Sequence, residues 1–283
     1  MHGTVGKTVV SVPGVLDTTP YLVVPGEAAD IRLRDPRSKQ GFEGDKLEGE
    51  ADLKTHNDVL TELQNRLWAE SKQKLLIVLQ AMDTGGKDGT IRHVFKGMNP
   101  QGVRVWGFGV PTEWELAHDY LWRVHQRTPE NGGVTIFNRS HYEDVLVARV
   151  KGLAPRERWE KRYGHIVDFE KMLADEGTTI VKLFLHISKE EQRERLQARL
   201  DEPDKRWKFS TGDVEDRRLW DDYIDAYEDA LTLTSTGHAP WYVVPADRKW
   251  FRNLVVSSIL IDTLERMDPQ FPPGDDLKRI VVE

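Results

Sequence analysis

The sequence predicts an α/β fold: a three-layer α/β/α domain around a mostly parallel five-stranded sheet, with a helical lid over one end. Three observations predict it. Segments of strand pattern alternate with segments of helical pattern along most of the chain, the mark of successive βα units. The run Leu75-Leu76-Ile77-Val78-Leu79 is apolar throughout, as in a strand buried on both faces of a parallel sheet. A charged stretch over 201–218, poor in apolar residues, interrupts the alternation and has the composition of a mobile cover.

Residues 1–50 are rich in Pro, Gly and charge and weak in periodicity. They read as an arm wrapping a main domain of 51–283. From Ala51 to Gln73, Leu53, Val59, Leu60, Leu63 and Leu67 recur at helical spacing. The apolar strand follows, then a Gly-rich turn and a helix over Lys87 to Met98. Val103 to Phe108 is the second strand. Thr112 caps a helix through Arg127, with Glu115 at the capping-box position. Val134 to Phe137 is the third strand, followed by a helix from Ser140. Pro155 to Asp175 is a long helix and Thr178 to Ile187 the fourth strand. Ser188 caps the helix of Glu190 to Leu200. After the charged stretch, helix resumes to Leu233. Trp241 to Val244 is the fifth strand and Arg248 to Met267 the last helix.

Composition bounds the function. The 283 residues are 39% hydrophobic, enough for a large core, and contain no cysteine, which excludes disulfides, thiolate metal sites and a Cys nucleophile. No run approaches the ~18 apolar residues of a membrane span. Met1 to Pro25 has no continuous apolar segment, being interrupted by Pro13, Gly14, Asp17 and Pro20, so a secretory signal is not expected and the expected location is cytoplasmic. The net charge of −7 argues against nucleic-acid binding. Local clusters of cations, Lys205-Arg206-Lys208 and Arg248-Lys249-Arg252, suit a small polyanion instead.

The segment Ala81-Met82-Asp83-Thr84-Gly85-Gly86-Lys87-Asp88-Gly89-Thr90 follows the buried strand and opens a helix, the context a P-loop requires. Small residues let backbone N–H groups converge on phosphate oxygens, and the helix N-terminus adds positive potential. Lys87 supplies a full charge. Gly85, Gly86, Lys87, Asp88, Gly89, Thr90 and Arg92 are therefore candidate phosphate contacts. Ala81 stands where the pattern has its first Gly, and Asp88 where it has Ser or Thr. Asp83 and the Thr90 hydroxyl are alternatives for the missing magnesium ligand.

Three further segments add to this site. Phe137-Asn138-Arg139-Ser140-His141-Tyr142-Glu143 lies at the C-terminal end of a strand, where ligands of open α/β sheets collect. Asn138 stands where a metal-binding carboxylate is usual, with Glu143 following, and Arg139 can clamp phosphate oxygens. Asp204-Lys205-Arg206-Trp207-Lys208-Phe209-Ser210 reads as a lid that brings cations to a transferring phosphoryl group. In Pro245-Ala246-Asp247-Arg248-Lys249, Asp247 reads as a helix cap and the cations as candidates for a phosphate channel. Trp68, Trp106, Trp159 and Trp220 read as core, Trp114 and Trp122 as a packed pair, and His141 and His165 as satisfied or exposed rather than metal-binding.

Taken together and in this order, these motifs resemble the polyphosphate kinase 2 family over about Ala51 to Met267. The resemblance implies a thymidylate-kinase-like P-loop fold with a lid, and phosphoryl transfer between inorganic polyphosphate and a nucleotide with Mg2+ or Mn2+. It places the family's loop Asp and Lys on Asp83 and Lys87, its strand-end Arg on Arg139, and its lid cations near Arg206 and Lys208. Asn138 with Glu143 resembles the class III branch, whose members accept both mono- and diphosphates. Asp83, Asn138 and Glu143 are the implied metal set, and Asn138, Arg139 and Glu143 the implied nucleotide contacts. Adenine nucleotides, with guanine left open, and a homo-oligomer complete the expectation. An ATP-dependent nucleoside or nucleotide kinase and a catalytically silent nucleotide switch share the loop; the switch would need no lid cations.

Overall fold

The structure is a computed structural model and describes residues 12–274. Residues 1–11 of the expected arm and 275–283 of the expected main domain lie outside the described residues.

The elements, in chain order, are β1 (Leu22–Val23), α1 (Lys46–Glu70), β2 (Lys74–Ala81), α2 (Lys87–Val94), β3 (Val103–Gly107), α3 (Glu113–Leu116), α4 (Trp122–His125), β4 (Val134–Asn138), a 3-10 turn His141–Asp144, α5 (Val147–Val150), α6 (Arg156–Asp175), β5 (Thr178–His186), α7 (Lys189–Asp201), a 3-10 turn Pro203–Lys208, α8 (Thr211–Arg218), α9 (Trp220–Thr234), β6 (Trp241–Pro245) and α10 (Lys249–Met267). The sheet order is β1-β6-β5-β2-β4-β3, with every pairing parallel except β1 on β6. Helices α1, α2 and α10 cover one face, and α5, α6 and α9 the other. The three-layer architecture is as the alternation predicts.

The sheet has six strands where the pattern predicts five. The sixth, β1, is two residues long in the arm and pairs antiparallel with Trp241 and Tyr242. Two residues are too few for any periodicity to register. The arm is part of the core: Leu16, Tyr21, Val23, Ala29 and Ile31 are buried in the same cluster as the sheet. Helix α1 begins at Lys46, inside the segment expected as arm. Asp45 caps it, accepting from Leu47 N and Glu48 N, while Glu48 accepts from Asp45 N.

The helix expected over Thr112–Arg127 is two four-residue helices. The capping box at Thr112 and Glu115 forms as expected. The break has a local cause: Asp119 Oδ1 accepts from Leu121 N and Trp122 N and starts a second turn. Trp114 and Trp122 still meet, ring centroids 6.2 Å apart, with His118 stacked on Trp122. Trp220 is buried, and Trp106 and Trp159 pack against the core. Among the described residues no helix is long and apolar enough to cross a membrane.

Beneath the sheet edge lies a buried ionic network. Lys182 Nζ of β5 donates to Glu170 Oε2 of α6 at 2.6 Å, to Tyr142 OH and to the Thr234 carbonyl. His141 Nε2 meets Glu170 Oε1 at 3.1 Å, so this histidine is satisfied at that nitrogen, as expected. Burial works against the Glu170 carboxylate, but Lys182 and His141 outweigh it and hold it below the usual carboxylate range. A carboxylate and an ammonium this deep persist only as a hydrogen-bonded pair. Their position fixes the turn that carries Glu143.

His186, at the end of β5, anchors the arm through Arg34 O at 3.1 Å. Burial pulls its imidazole from 6.5 down to about 4. Between those values the unfolded chain holds a proton that the folded chain lacks, so stability falls as pH drops through this window. The unfolding free energy of the native chain, followed by urea denaturation, is expected to fall more steeply from about pH 6.5 to 4 than that of His186→Gln; equal slopes would contradict this burial.

Candidate active site

The site forms where β2 and β4, adjacent and parallel, release the chain at their C-terminal ends. Leu79 pairs with Asn138, and Arg139 N donates to Leu79 O at 3.1 Å, so the two loops emerge side by side. Chain order also reverses here, since β2 leads outward to β3 while β5 returns on the other flank. That is the crevice in which doubly wound sheets bind ligands.

After Ala81 the chain turns tightly. Gly85 N donates to Met82 O at 2.9 Å, and Thr84 and Gly86 take left-handed backbone angles, φ 62° and 102°. Gly85 must be glycine: a Cβ there would run into the Ala81 side chain and stand 2.8 Å from Met82 O. Lys87 folds back over the turn and donates from Nζ to Ala81 O at 3.0 Å. Burial lowers its ammonium below the ordinary lysine value and Arg139 adds to this, opposed by Asp83, Glu143 and Asp88.

Asp83 and Arg139 meet across the crevice at 3.1 Å. Burial disfavours the Arg139 guanidinium, yet Glu143 and Asp83 more than offset it and raise its pKa. Arg139 also has a left-handed backbone, φ 64°, a conformation that a non-glycine residue holds only when its surroundings impose it. Ser140 next to it accepts from Tyr142 N and from Gln80 Nε2, which fixes the bend. Burial pushes the Glu143 carboxyl up against the pull of Arg139 and Lys87. Asn138 Nδ2 donates to Asp88 Oδ1 at 2.8 Å, so the residue in the place of the P-loop hydroxyl is tied to the residue in the place of the strand-end carboxylate.

The P-loop, Asn138 and Arg139 line one cleft of about 1570 Å³. Cations outnumber acids along its wall although the chain carries a net charge of −7. Asp83, Gly85, Gly86, Lys87, Asp88 and Gly89 border it, as do Arg92, Asn138, Arg139 and Lys208. Lys208 reaches from the lid to within 3.7 Å of Asp88.

The sequence profile of polyphosphate kinase 2 matches residues 43–272. The chain belongs to this family. It is 60% identical over 264 residues to the AMP/ADP-polyphosphate phosphotransferase of Meiothermus ruber, covering 93% of this chain and 99% of that one. It is 42% identical to the ADP-polyphosphate phosphotransferase of Rhodopseudomonas palustris, covering 93% and 95%. The crystal structure of polyphosphate kinase 2 from Arthrobacter aurescens superposes with a TM-score of 0.87 at 46% identity, covering 90% of this chain and 91% of that one.

Three candidate residues of this polyphosphate kinase 2 family member are not part of the cleft wall. Glu143 lies behind it, where its charge acts on Lys87 and Arg139. Thr90 is fully buried and its hydroxyl donates to Gly86 O at 3.2 Å, so it shapes the first turn of α2 rather than contacting phosphate. Arg206 points away, donating from Nε to Leu200 O at 2.8 Å and closing the end of α7. In the tight 3-10 turn of the lid, Lys205 and Lys208, three apart, share the cleft side while Arg206 takes the other. Arg252 lines the cleft from α10 beside Gly86 and Gly89, and among the three cations of its cluster it is the buried one. Arg195, Arg199 and Asp213 also border the cleft and were missed, because on α7 and α8 they read as ordinary solvated charge.

Among the described residues, no group of three or more His, Cys, Asp or Glu side chains is gathered to hold a metal ion alone. Mg2+ is commonly held by one or two carboxylates, with phosphate oxygens and waters completing the shell. Of the expected metal set, Asp83 and Asn138 border the cleft, and Asp83 is the set's one carboxylate on the cleft wall.

Gly85→Ala is expected to destabilise the chain by about 1–3 kcal/mol through local overpacking and to weaken phosphate binding. Thermal unfolding and calorimetric titration with inorganic triphosphate check both effects; unchanged binding would remove the tight loop from the argument.

Proposed function

We propose that the chain is a polyphosphate:nucleotide phosphotransferase, moving phosphoryl groups reversibly between inorganic polyphosphate and AMP or ADP to form ADP and ATP. The single observation that carries this reading is the cleft at the P-loop, cation-rich in an acidic chain and about 1570 Å³ in volume. A pocket for one drug-sized ligand occupies roughly 300–1,000 Å³. This cleft has room for two phosphorylated substrates meeting at Lys87. The named activities of the Meiothermus and Rhodopseudomonas relatives, similar over nearly their whole lengths, support the same reading.

In this reading polyphosphate crosses the loop from the side of Lys205, Lys249 and Arg252, and the nucleotide enters from the side of Asn138 and Arg139. A terminal phosphate oxygen of the nucleotide attacks the end phosphorus of the chain in line. The new P–O bond forms as the bond to the remaining polyphosphate breaks, and the shortened chain leaves with the electron pair. Phosphate oxygens at neutral pH scarcely need a base, so the protein's work is positioning and charge compensation. Lys87 and Arg139 stand where negative charge accumulates on the transferring group. Asp83 holds Arg139 in place.

Mg2+, or Mn2+ in its place, would be held by Asp83 at the cleft wall, with Asn138 contributing through Oδ1 because its amide nitrogen is committed to Asp88, and Glu143 adding its charge from beneath. The ion supplies charge compensation to the phosphates when bound.

Lys87→Ala and Asp83→Asn are each expected to lower turnover of AMP with polyphosphate by at least about 100-fold while the protein stays folded, the scale of losing one positioned charge. Near-normal rates in either variant would refute its role. Asn138→Asp would set two carboxylates face to face where Asn138 and Asp88 are now hydrogen-bonded. It is expected to change the ratio of AMP to ADP use, measured as initial rates on each acceptor; an unchanged ratio would show that this pair has no part in acceptor choice.

A further inference from the structure

Helix α7 runs from the phosphate loop to the lid, and its inward face is polar. Gln192, Arg195 and Arg199 stand at helical spacing on that face. Arg195 Nη1 donates to Thr84 O at 2.9 Å, and Gln192 Nε2 donates to Asp83 O at 3.2 Å. Both bonds fall on the left-handed turn of the loop. At the other end Arg199 Nη1 donates to Lys208 O and pairs with Asp213 Oδ2 at 2.9 Å, both in the lid. A second tie lies between them. Arg217 of α8 donates from Nη1 to Gln192 Oε1 at 3.1 Å and to Lys189 O at 2.5 Å.

Gln192 is 1% exposed, and each end of its amide has a partner. An amide is suited to this place because it accepts from a guanidinium on one side and donates to a carbonyl on the other. A carboxylate would keep Arg217 and repel Asp83 O. An apolar side chain would release both. The Asp83 carbonyl belongs to the peptide that enters the left-handed Thr84, and the Asp83 carboxylate is held by Arg139, so one residue carries both the bond from Gln192 and the pair with Arg139.

We propose that Gln192 is a positioning residue that relays the docking of lid helix α8, through Arg217, to the backbone at Asp83. With α8 docked, the amide is oriented and the loop is held in its reacting shape. With α8 away, Gln192 turns freely and Thr84 loses part of what holds it left-handed. Closure of the lid thus completes the catalytic loop as well as covering it. The inference rests on the phosphotransfer reading above, and the same assay of the unmodified chain tests that reading separately.

The experiment compares kcat, KM for AMP and thermal unfolding in the unmodified chain, Gln192→Met, Arg217→Met, the double variant and Gln192→Glu, with polyphosphate as donor. Each single Met variant is expected to lose about 10-fold in kcat with KM for AMP within about 2-fold, the kinetic effect of one lost hydrogen bond. The double variant is expected to lose no more than either single, because both cut the same relay. Gln192→Glu, which keeps Arg217, is expected to retain the melting temperature and still lose kcat. The relay is overturned by unchanged kcat in Gln192→Glu, by losses that multiply in the double variant, or by kcat losses that track lost melting temperature across the set. An inactive unmodified chain would instead overturn the phosphotransfer reading.

Discussion

The hydrogen bond from Lys87 Nζ to the Ala81 carbonyl closes the phosphate loop on itself, and the arrangement of the site depends on it. It requires the chain to reverse within six residues of the end of β2, which requires the close approach at Gly85 and the left-handed angles of Thr84 and Gly86. It also draws an ammonium out of water. Support comes from behind the loop. Arg195 and Gln192 hold the carbonyls of Thr84 and Asp83, and the guanidinium of Arg252 packs beside Gly86 and Gly89. Burial and the neighbouring Arg195 pull Arg252 down to about 9, so it remains a cation at neutral pH. A loop surrounded in this way carries excess positive charge, and a polyanionic substrate is the natural counterpart of that excess.

Carboxylates at the site limit that excess and give it direction. Asp83 pairs with Arg139, Asp88 accepts from Asn138, and Glu143 is pressed up in pKa beneath them. Each carboxylate faces a cation or a donor on the neighbouring strand loop, so β2 and β4 are joined at their tips by electrostatics as well as by the ladder between Leu79 and Asn138. The buried Glu170–Lys182 pair secures the far end of the same segment through His141 and Tyr142.

How much of this was legible in the sequence follows from the range of the interactions. The apolar run of β2, the Gly-rich turn and Lys87 are local features, and they located the loop although Ala81 and Asp88 depart from the usual pattern. The capping box at Thr112 and the Ser188 cap are equally local. The antiparallel strand β1 was not legible, because two residues carry no period and their partner lies over 200 residues away. The break between α3 and α4 depends on one Asp side chain choosing backbone amides over solvent. Within the site, Arg206 was assigned to phosphate because it sits among lid cations, whereas the 3-10 turn sends it back to α7. Thr90 was assigned by motif position, whereas its hydroxyl serves its own helix. Gln192 and Arg195 left no trace in the sequence, since a polar helix face reads the same whether it meets water or another loop.

The measurement that tests the central claim most directly is 31P NMR of the purified chain with AMP, polyphosphate and Mg2+ and with no ATP present. The account predicts that nucleotide β- and then γ-phosphate resonances grow as the polyphosphate signal falls by the same amount of phosphorus. Phosphate resonances that stay constant until ATP is added, and change thereafter, would contradict it.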